Sequence, residues 1–237
     1  MNLQELSSLV VQKGGEISGA IEIRALALES AVSTPEYGIF STAAIPESSV
    51  IMSIPYAQCI SVEAVMSSRL SCVFEREDYA GLVSFPDEVI ALGLTSALSC
   101  SDLPWALHVS TMPRAINSSI FWSTAELDHL APCASFHLTN LMSRQIATDW
   151  ETIHQPLCQT FPELFEKASL DTYKWALSII YSRAVGFHRA GKYLRCIPPL
   201  LDMANHSPHA GEVIKPHPIH AHDKTSLTQP TTMARRQ

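Results

Sequence analysis

The stretch from Asp171 to Phe187, DTYKWALSIIYSRAVGF, constrains the fold more than any other part of the chain. Trp175, Ile179 and Arg183 stand at i, i+4 and i+8, with Leu177, Ile180 and Ala184 beside them, which is the spacing of one helix face. The pattern predicts a largely buried helix of about four turns. It also sets an arginine where apolar residues point. A guanidinium does not give up its proton inside a protein, so this one requires an anionic partner from elsewhere in the chain.

Ahead of that helix the period is different. Gly19–Leu26 reads GAIEIRAL, in which Ile21, Ile23 and Ala25 alternate with Glu22 and Arg24 as in a half-buried strand. The following TPEYGIFSTAAIPESSVIMSIP puts Pro35 and Gly38 around a tight turn, then an apolar pair at Ile39 and Phe40. A Pro46-Glu47-Ser48 turn leads to the β-branched run Val50–Ile54, closed by Pro55. Two short strands joined by turns account for this region. From about 57 to 188 the spacing becomes helical. Ser84-Phe-Pro86-Asp-Glu88 supplies a cap, a first-turn proline and two acids ahead of VIALGLTSAL. Ser123-Thr-Ala-Glu126 is a capping box ahead of Leu127 and Leu130, and Pro132 stops that short helix.

The segment CIPPLLDMANHSPH begins a third region. Its apolar approach, Ile197 to Leu201, delivers Asp202, Asn205 and His206 at the end of a strand or short helical turn. On spacing alone, Asp and Asn are turn caps and His206 fills space. Residues 207–237 hold no Phe, Trp, Tyr or Cys and show no hydrophobic period, so they are expected to lack a core of their own.

Charge and composition narrow the partners. Sixteen Lys plus Arg against 23 Asp plus Glu give a formal net charge of −7, unsuited to broad phosphate-backbone binding or to an anionic membrane surface. Nucleic acid and membrane are therefore not expected partners. No apolar run reaches the roughly 18–20 residues of a spanning helix, and the N-terminal MNLQELSSLVVQKGG lacks a secretory apolar stretch. A soluble, unexported chain of the cytoplasm or nucleus is expected. The six cysteines lie 13 or more residues apart, so no CxxC pair is present and reduced thiols are expected. His217, His220 and His222 beside Asp223 have ligand-like separations, yet nothing around them preorganises a site, and no metal is expected.

Four segments, PEYGIFSTAAIPESSVIMSIP, PWALHVSTMPRAINSSIFWSTAELDHL, YKWALSIIYSRAVGF and IPPLLDMANHSP, follow one another in a familiar order and approximate spacing. In that order they resemble the SET-domain methyltransferases of the subclass that includes the Rubisco large-subunit lysine methyltransferase and the actin-histidine methyltransferase. The resemblance implies an α+β architecture, a β-rich SET fold interrupted by a mainly helical insertion. It assigns 1–56 to N-terminal SET strands, 57–165 to the helical insertion, 166–209 to a SET core segment, and 210–237 to a divergent, disordered tail.

It further implies S-adenosyl-L-methionine as cofactor and a protein substrate, methylated on a lysine or a histidine side chain. The oligomeric state is left open. The cofactor residues it carries over are Tyr37, Gly38, Arg183, Asp202, Asn205 and His206. Arg183 follows Ser182 as in the family's S/T-R pair, where the guanidinium reaches the cofactor's carboxylate. The sequence departs from the family pattern at Pro35, where a cofactor-contacting Glu is usual, and at Glu36, where a Gly is usual. The family's catalytic tyrosine lies in a G-E-E-hydrophobic-x-x-x-Y-G strand beyond the N-H motif. Here the last tyrosine is Tyr193, so no catalytic residue is assigned. The closing strands and the C-terminal helical domain of relatives are expected to be missing, as in a truncated product that transfers methyl groups poorly or not at all. The alternative reading is a non-catalytic SET-like binding module or a relic gene product.

Overall fold

The computed structural model describes residues 3–26, 36–189, 191–204, 214–216 and 224–228, the last two segments as backbone. Helix α1 (Leu3–Gln12) precedes strands β1 (Glu16–Ile17), β2 (Ile21–Ala25), β3 (Tyr37–Ser41), β4 (Val50–Pro55) and β5 (Ile60–Ser61). Helices α2 (Val62–Met66), α3 (Ser71–Phe74), α4 (Glu77–Ala80), α5 (Pro86–Ala97) and α6 (Ala106–Thr111) follow. Then come α7 (Thr124–Asp128), α8 (Ala134–Asp149), α9 (Gln155–Thr160), α10 (Pro162–Phe165) and α11 (Leu170–Arg183). Strands β6 (Val185–Arg189), β7 (Lys192–Ile197), β8 (Ile214–Pro216) and β9 (Lys224–Thr228) complete the order. The chain divides into two units, one drawn from Met1–Ala64, Leu107–Pro113 and Arg183–Gln237, the other from Val65–Ala106 and Arg114–Ser182.

The first unit is rich in strands because its apolar residues recur with period two. In β2, Ile21 is buried while Glu22 and Arg24 face water, as their alternation predicts. β2 pairs antiparallel with β3, setting Ile23 opposite Ile39 and Arg24 opposite Gly38. Gly38 is thus a residue inside a strand, which corrects the expectation of a turn glycine; Pro35 lies outside the described residues. With no side chain opposite it, the Arg24 guanidinium settles over the Phe40 ring, 4.1 Å from its centroid.

Strand β4 carries four consecutive buried residues, Ile51 to Ile54, so both of its faces are covered. It lies second in a four-stranded sheet of order β1-β4-β9-β8, while β5, β7 and β6 form a separate antiparallel sheet. The pairing of β9 with β4 and of β8 with β9 corrects the expectation of a tail without regular structure at these eight residues. KTSLT alternates Thr with other residues and suits a strand, but its signal is weak beside the prolines that surround it. Helix α1 is a further element that the sequence reading does not include, although Leu3, Leu6 and Val10 have helical spacing; Leu6 and Val10 are buried. Gln58 Nε2 donates to the carbonyls of Val10 (3.2 Å), which also accepts from the Gly15 N–H, and Lys13 (3.0 Å), tying the end of α1 down. The core of this unit joins Leu6 and Val10 to Ile51, Met52, Ile54, Tyr56, Phe187, Cys196, Leu200, Leu201 and Met203.

The second unit is helical, as the spacing predicts. Pro86 opens α5 with Asp87 and Glu88 in its first turn. The N-cap is Phe85 without a side-chain bond, and Ser84 instead ends a 3-10 turn, a one-residue offset from the predicted cap. The capping box forms as read: Ser123 N–H donates to Glu126 Oε2 at 2.7 Å, and Ser123 Oγ accepts from the Glu126 N–H. α5 is buried from Val89 to Ser96. Glu88 at its start accepts a forked hydrogen bond from Tyr173 Oη, 2.9 and 3.1 Å to its two oxygens, and lies 2.7 Å from His154 Nε2. Burial raises the Glu88 pKa, but His154 and Tyr173 outweigh it and hold the carboxyl below its usual range. His154 closes a π-helical turn, Trp150–His154, just ahead of Pro156, which has no N–H for the helix ladder.

Gly93 of α5 has no room for a side chain. An added Cβ would stand 2.6 Å from Val65 Cγ2 and 3.5 Å from the Trp105 ring, whose Nε1 donates to the Gly93 carbonyl at 2.8 Å. Helix propensity alone favours alanine here by about 1 kcal/mol. Overpacking against the buried Val65 side chain outweighs it, so Gly93→Ala is expected to lower the unfolding free energy by about 1–3 kcal/mol in a urea titration. A stabilised variant would show that the site can relax.

Candidate functional site

Arg183, the last residue of α11, finds the anionic partner its helix face demands. Its Nη1 donates to Oδ2 of Asp202 at 3.1 Å and to the Asp202 main-chain carbonyl, also at 3.1 Å. Asp202 sits in the 3-10 turn Leu201–Met203, held by Asp202 N–H to Pro198 O at 3.2 Å and Met203 N–H to Leu200 O at 3.0 Å. The turn is entered through Leu200, whose φ of 67° lies in the left-handed region that non-glycine residues seldom occupy. Leu200 is fully buried, so its apolar packing keeps the backbone in this conformation.

The Asp202 side chain is entirely enclosed. Its second oxygen, Oδ1, lies 3.2 Å from Nε2 of His108 on α6, which is itself 3% exposed. This is ion-pair distance without hydrogen-bond geometry: among the described residues His108 Nδ1 and Nε2 and Asp202 Oδ1 have no hydrogen-bond partner. Burial alone would raise the Asp202 pKa. The imidazole of His108 first, and the guanidinium of Arg183 second, outweigh burial and hold the carboxyl below its usual range. His108 is the site residue that sequence reasoning missed. Its only signal was a histidine set between Leu107 and Val109 in a short apolar helix.

Arg183 makes no other hydrogen bond among the described residues, and its side chain is 16% exposed. Among the described residues Nε and Nη2 thus meet no acceptor, and a fork of two N–H donors fits a carboxylate. Of the other predicted site residues, Tyr37 and Gly38 open β3, which runs beside the Leu201–Met203 turn. Tyr37 also lines a groove of about 490 Å3 with Leu3, Gln4 and Ser7 of α1 and Ile17, Ile21 and Ile23. Asn205, His206 and the histidines near 220 lie outside the described residues. Among the described residues no cluster of potential metal ligands occurs, and no helix is long and apolar enough to cross a membrane.

The fold is that of the SET domain. It aligns with a crystal structure of the SET domain of LSMT bound to lysine and AdoHcy at a TM-score of 0.75 and 22% identity, over 96% of this chain and 49% of that one. It aligns with Rubisco LSMT bound to AdoMet at a TM-score of 0.69 and 21% identity, over 97% and 50%. In sequence the chain is similar to SET-domain protein methyltransferases of the subclass expected from its motifs. The [fructose-bisphosphate aldolase]-lysine N-methyltransferase of Arabidopsis thaliana is 26% identical over 181 residues, 76% of this chain and 36% of that protein. The Rubisco large-subunit N-methyltransferase of Pisum sativum is 25% identical over 199 residues, 83% and 38%. The actin-histidine N-methyltransferase of Danio rerio is 24% identical over 180 residues, 72% and 29%. The chain thus spans about a third of the length of these curated relatives and about half of the solved structures. No protein-family model matches it.

The buried carboxylate gives this site a pH signature. Because the folded value of Asp202 lies below the unfolded one of about 3.9, the group contributes stability above about pH 4 that is lost as pH falls through the folded value. Asp202→Asn removes that contribution. The difference in urea stability between the wild-type and Asp202→Asn chains is expected to narrow as pH is lowered from about 7 toward 3; a constant difference would contradict the assignment. Arg183→Ala, which leaves Asp202 with one partner, is expected to cost on the order of 3 kcal/mol at neutral pH in the same measurement.

Proposed function

We propose that this chain carries the cofactor-binding core of an S-adenosyl-L-methionine-dependent protein methyltransferase, acting on a lysine or histidine side chain. The observation that carries the reading is Arg183: its orientation is fixed by a buried carboxylate, while Nε and Nη2 stay available for an anion. The α-carboxylate of the cofactor's amino-acid end has the charge and the planar geometry that such a fork accepts. Asp202 acts as the counter-ion that keeps Arg183 in place, and β3, which begins with Tyr37 and Gly38, borders the same turn. Asn205 and His206 follow within four residues and are assigned to the site on their motif alone. The similarity to lysine and histidine methyltransferases supports the reaction class.

When bound, the cofactor supplies a sulfonium methyl group, which a neutral substrate nitrogen takes in an in-line displacement as the carbon–sulfur bond breaks. The chain must orient the two reactants and keep water away. Its tyrosine hydroxyls show how far the described residues serve that end. Tyr56 Oη donates to Glu63 at 2.6 Å, and Tyr173 Oη donates to Glu88. Burial, reinforced by these carboxylates, raises both phenols well above their usual range, so neither is a base. Tyr181 and Tyr193 are exposed. With both buried phenols committed to carboxylates, a second reading remains, a SET-like module that binds cofactor without turnover.

Calorimetric titration with S-adenosylhomocysteine tests the first reading. Binding is expected, and Arg183→Lys, which replaces the fork with a point charge, is expected to weaken it about tenfold. Absence of binding by the wild-type chain would remove the proposal. Binding combined with no radiolabelled methyl transfer to proteome extract would favour the second reading.

A further inference from the structure

Arg183 cannot orient itself. Its Nη1 makes both of its contacts with Asp202, so the direction of Nε and Nη2 follows wherever that carboxylate is fixed. Asp202 in turn has one oxygen on Arg183 and the other facing His108 Nε2 at 3.2 Å, inside a volume that water does not reach. A carboxylate held at one oxygen can turn about its last torsion; one held at both cannot. His108 is 3% exposed, and among the described residues neither ring nitrogen has a hydrogen-bond partner, so Asp202 Oδ1 is the polar group that its ring faces.

We infer that His108 is a positioning residue for the anion-binding face of Arg183, acting through Asp202, and that it sets the preference for adenosine thioethers bearing a carboxylate. The inference rests on the cofactor reading above. Among the described residues two ionisable groups lower the Asp202 pKa: His108 from α6 and Arg183 from α11. Leu200, Leu201 and Met203 of the turn belong to the apolar core of the unit, against which Leu107 and Val185 also pack. His108, Asp202 and Arg183 thus stand in one line, with the ring and the guanidinium each facing a different oxygen of the carboxylate.

Two ligands separate this role from a merely structural one. S-adenosylhomocysteine has the carboxylate, whereas 5′-deoxy-5′-methylthioadenosine keeps the adenosine and the sulfur without it. His108→Leu, which keeps the approximate volume and removes the nitrogen, is expected to weaken S-adenosylhomocysteine about tenfold and the methylthioadenosine by less than about twofold. His108→Gln, which restores an N–H, is expected to recover most of the loss. Equal weakening for both ligands, or none for either, overturns the inference while leaving the cofactor reading standing. No binding of S-adenosylhomocysteine by the wild-type chain overturns both. Should the leucine variant not fold, as judged by circular dichroism, Asp202→Asn is tested with the same pair of ligands, and a loss shared equally by both overturns the inference in the same way.

Discussion

A carboxylate sealed from water, with a guanidinium at one oxygen and an imidazole facing the other, is the constraint on which the first unit turns. Asp202 cannot be hydrated, so it has to be neutralised by neighbours. Arg183 arrives from the end of α11 and His108 from α6, two segments far apart in sequence that meet at a single side chain. Once this charge is placed, the rest of the turn follows. The 3-10 backbone at Leu201–Met203 closes on itself, Leu200 accepts an unfavourable φ so that its side chain can stay in the core, and β3 passes alongside.

The second unit resolves a comparable conflict with a neutral-rich version of the same device. Glu88 heads a helix buried along most of its length, and its carboxylate is met by a phenol and an imidazole. The partners are 66 and 85 residues distant in sequence. The π-helical turn before Pro156 carries His154 at its end, with the Trp150 ring parallel to the imidazole at a centroid separation of 6.4 Å. An irregular turn in a helix is thereby tied to a specific polar contact, and the unit has a polar core assembled wholly from its own residues.

Much of this was legible where one element carries its own signal. The alternation of Ile21 and Ile23 with Glu22 and Arg24 gave a strand, Ser123 and Glu126 gave a capping box, and the helix before Arg183 announced both its burial and its need for an anion. The identity of that anion was not readable from spacing, because a charge pair is fixed by the tertiary fold and not by periodicity. His108 was missed for the same reason: a histidine between Leu and Val looks like any core filler until Asp202 is beside it. Gly38 was misplaced because a glycine that gives space to a cross-strand arginine carries the same letter as one that makes a turn. Strand β9 went unread because KTSLT has no apolar alternation strong enough to compete with its proline-rich flanks.

The four tryptophans of the chain, Trp105, Trp122, Trp150 and Trp175, all fall within the helical unit, and the strand-rich unit has none. Trp105 and Trp175 are almost wholly buried, and the Trp105 indole is hydrogen-bonded to Gly93. Selective excitation of indole, at wavelengths where tyrosine is dark, therefore interrogates one half of the molecule and is blind to the half that holds Arg183 and Asp202. Intrinsic emission in denaturant consequently follows the melting of the helical unit alone, whereas a probe of the strand-rich unit has to be introduced there.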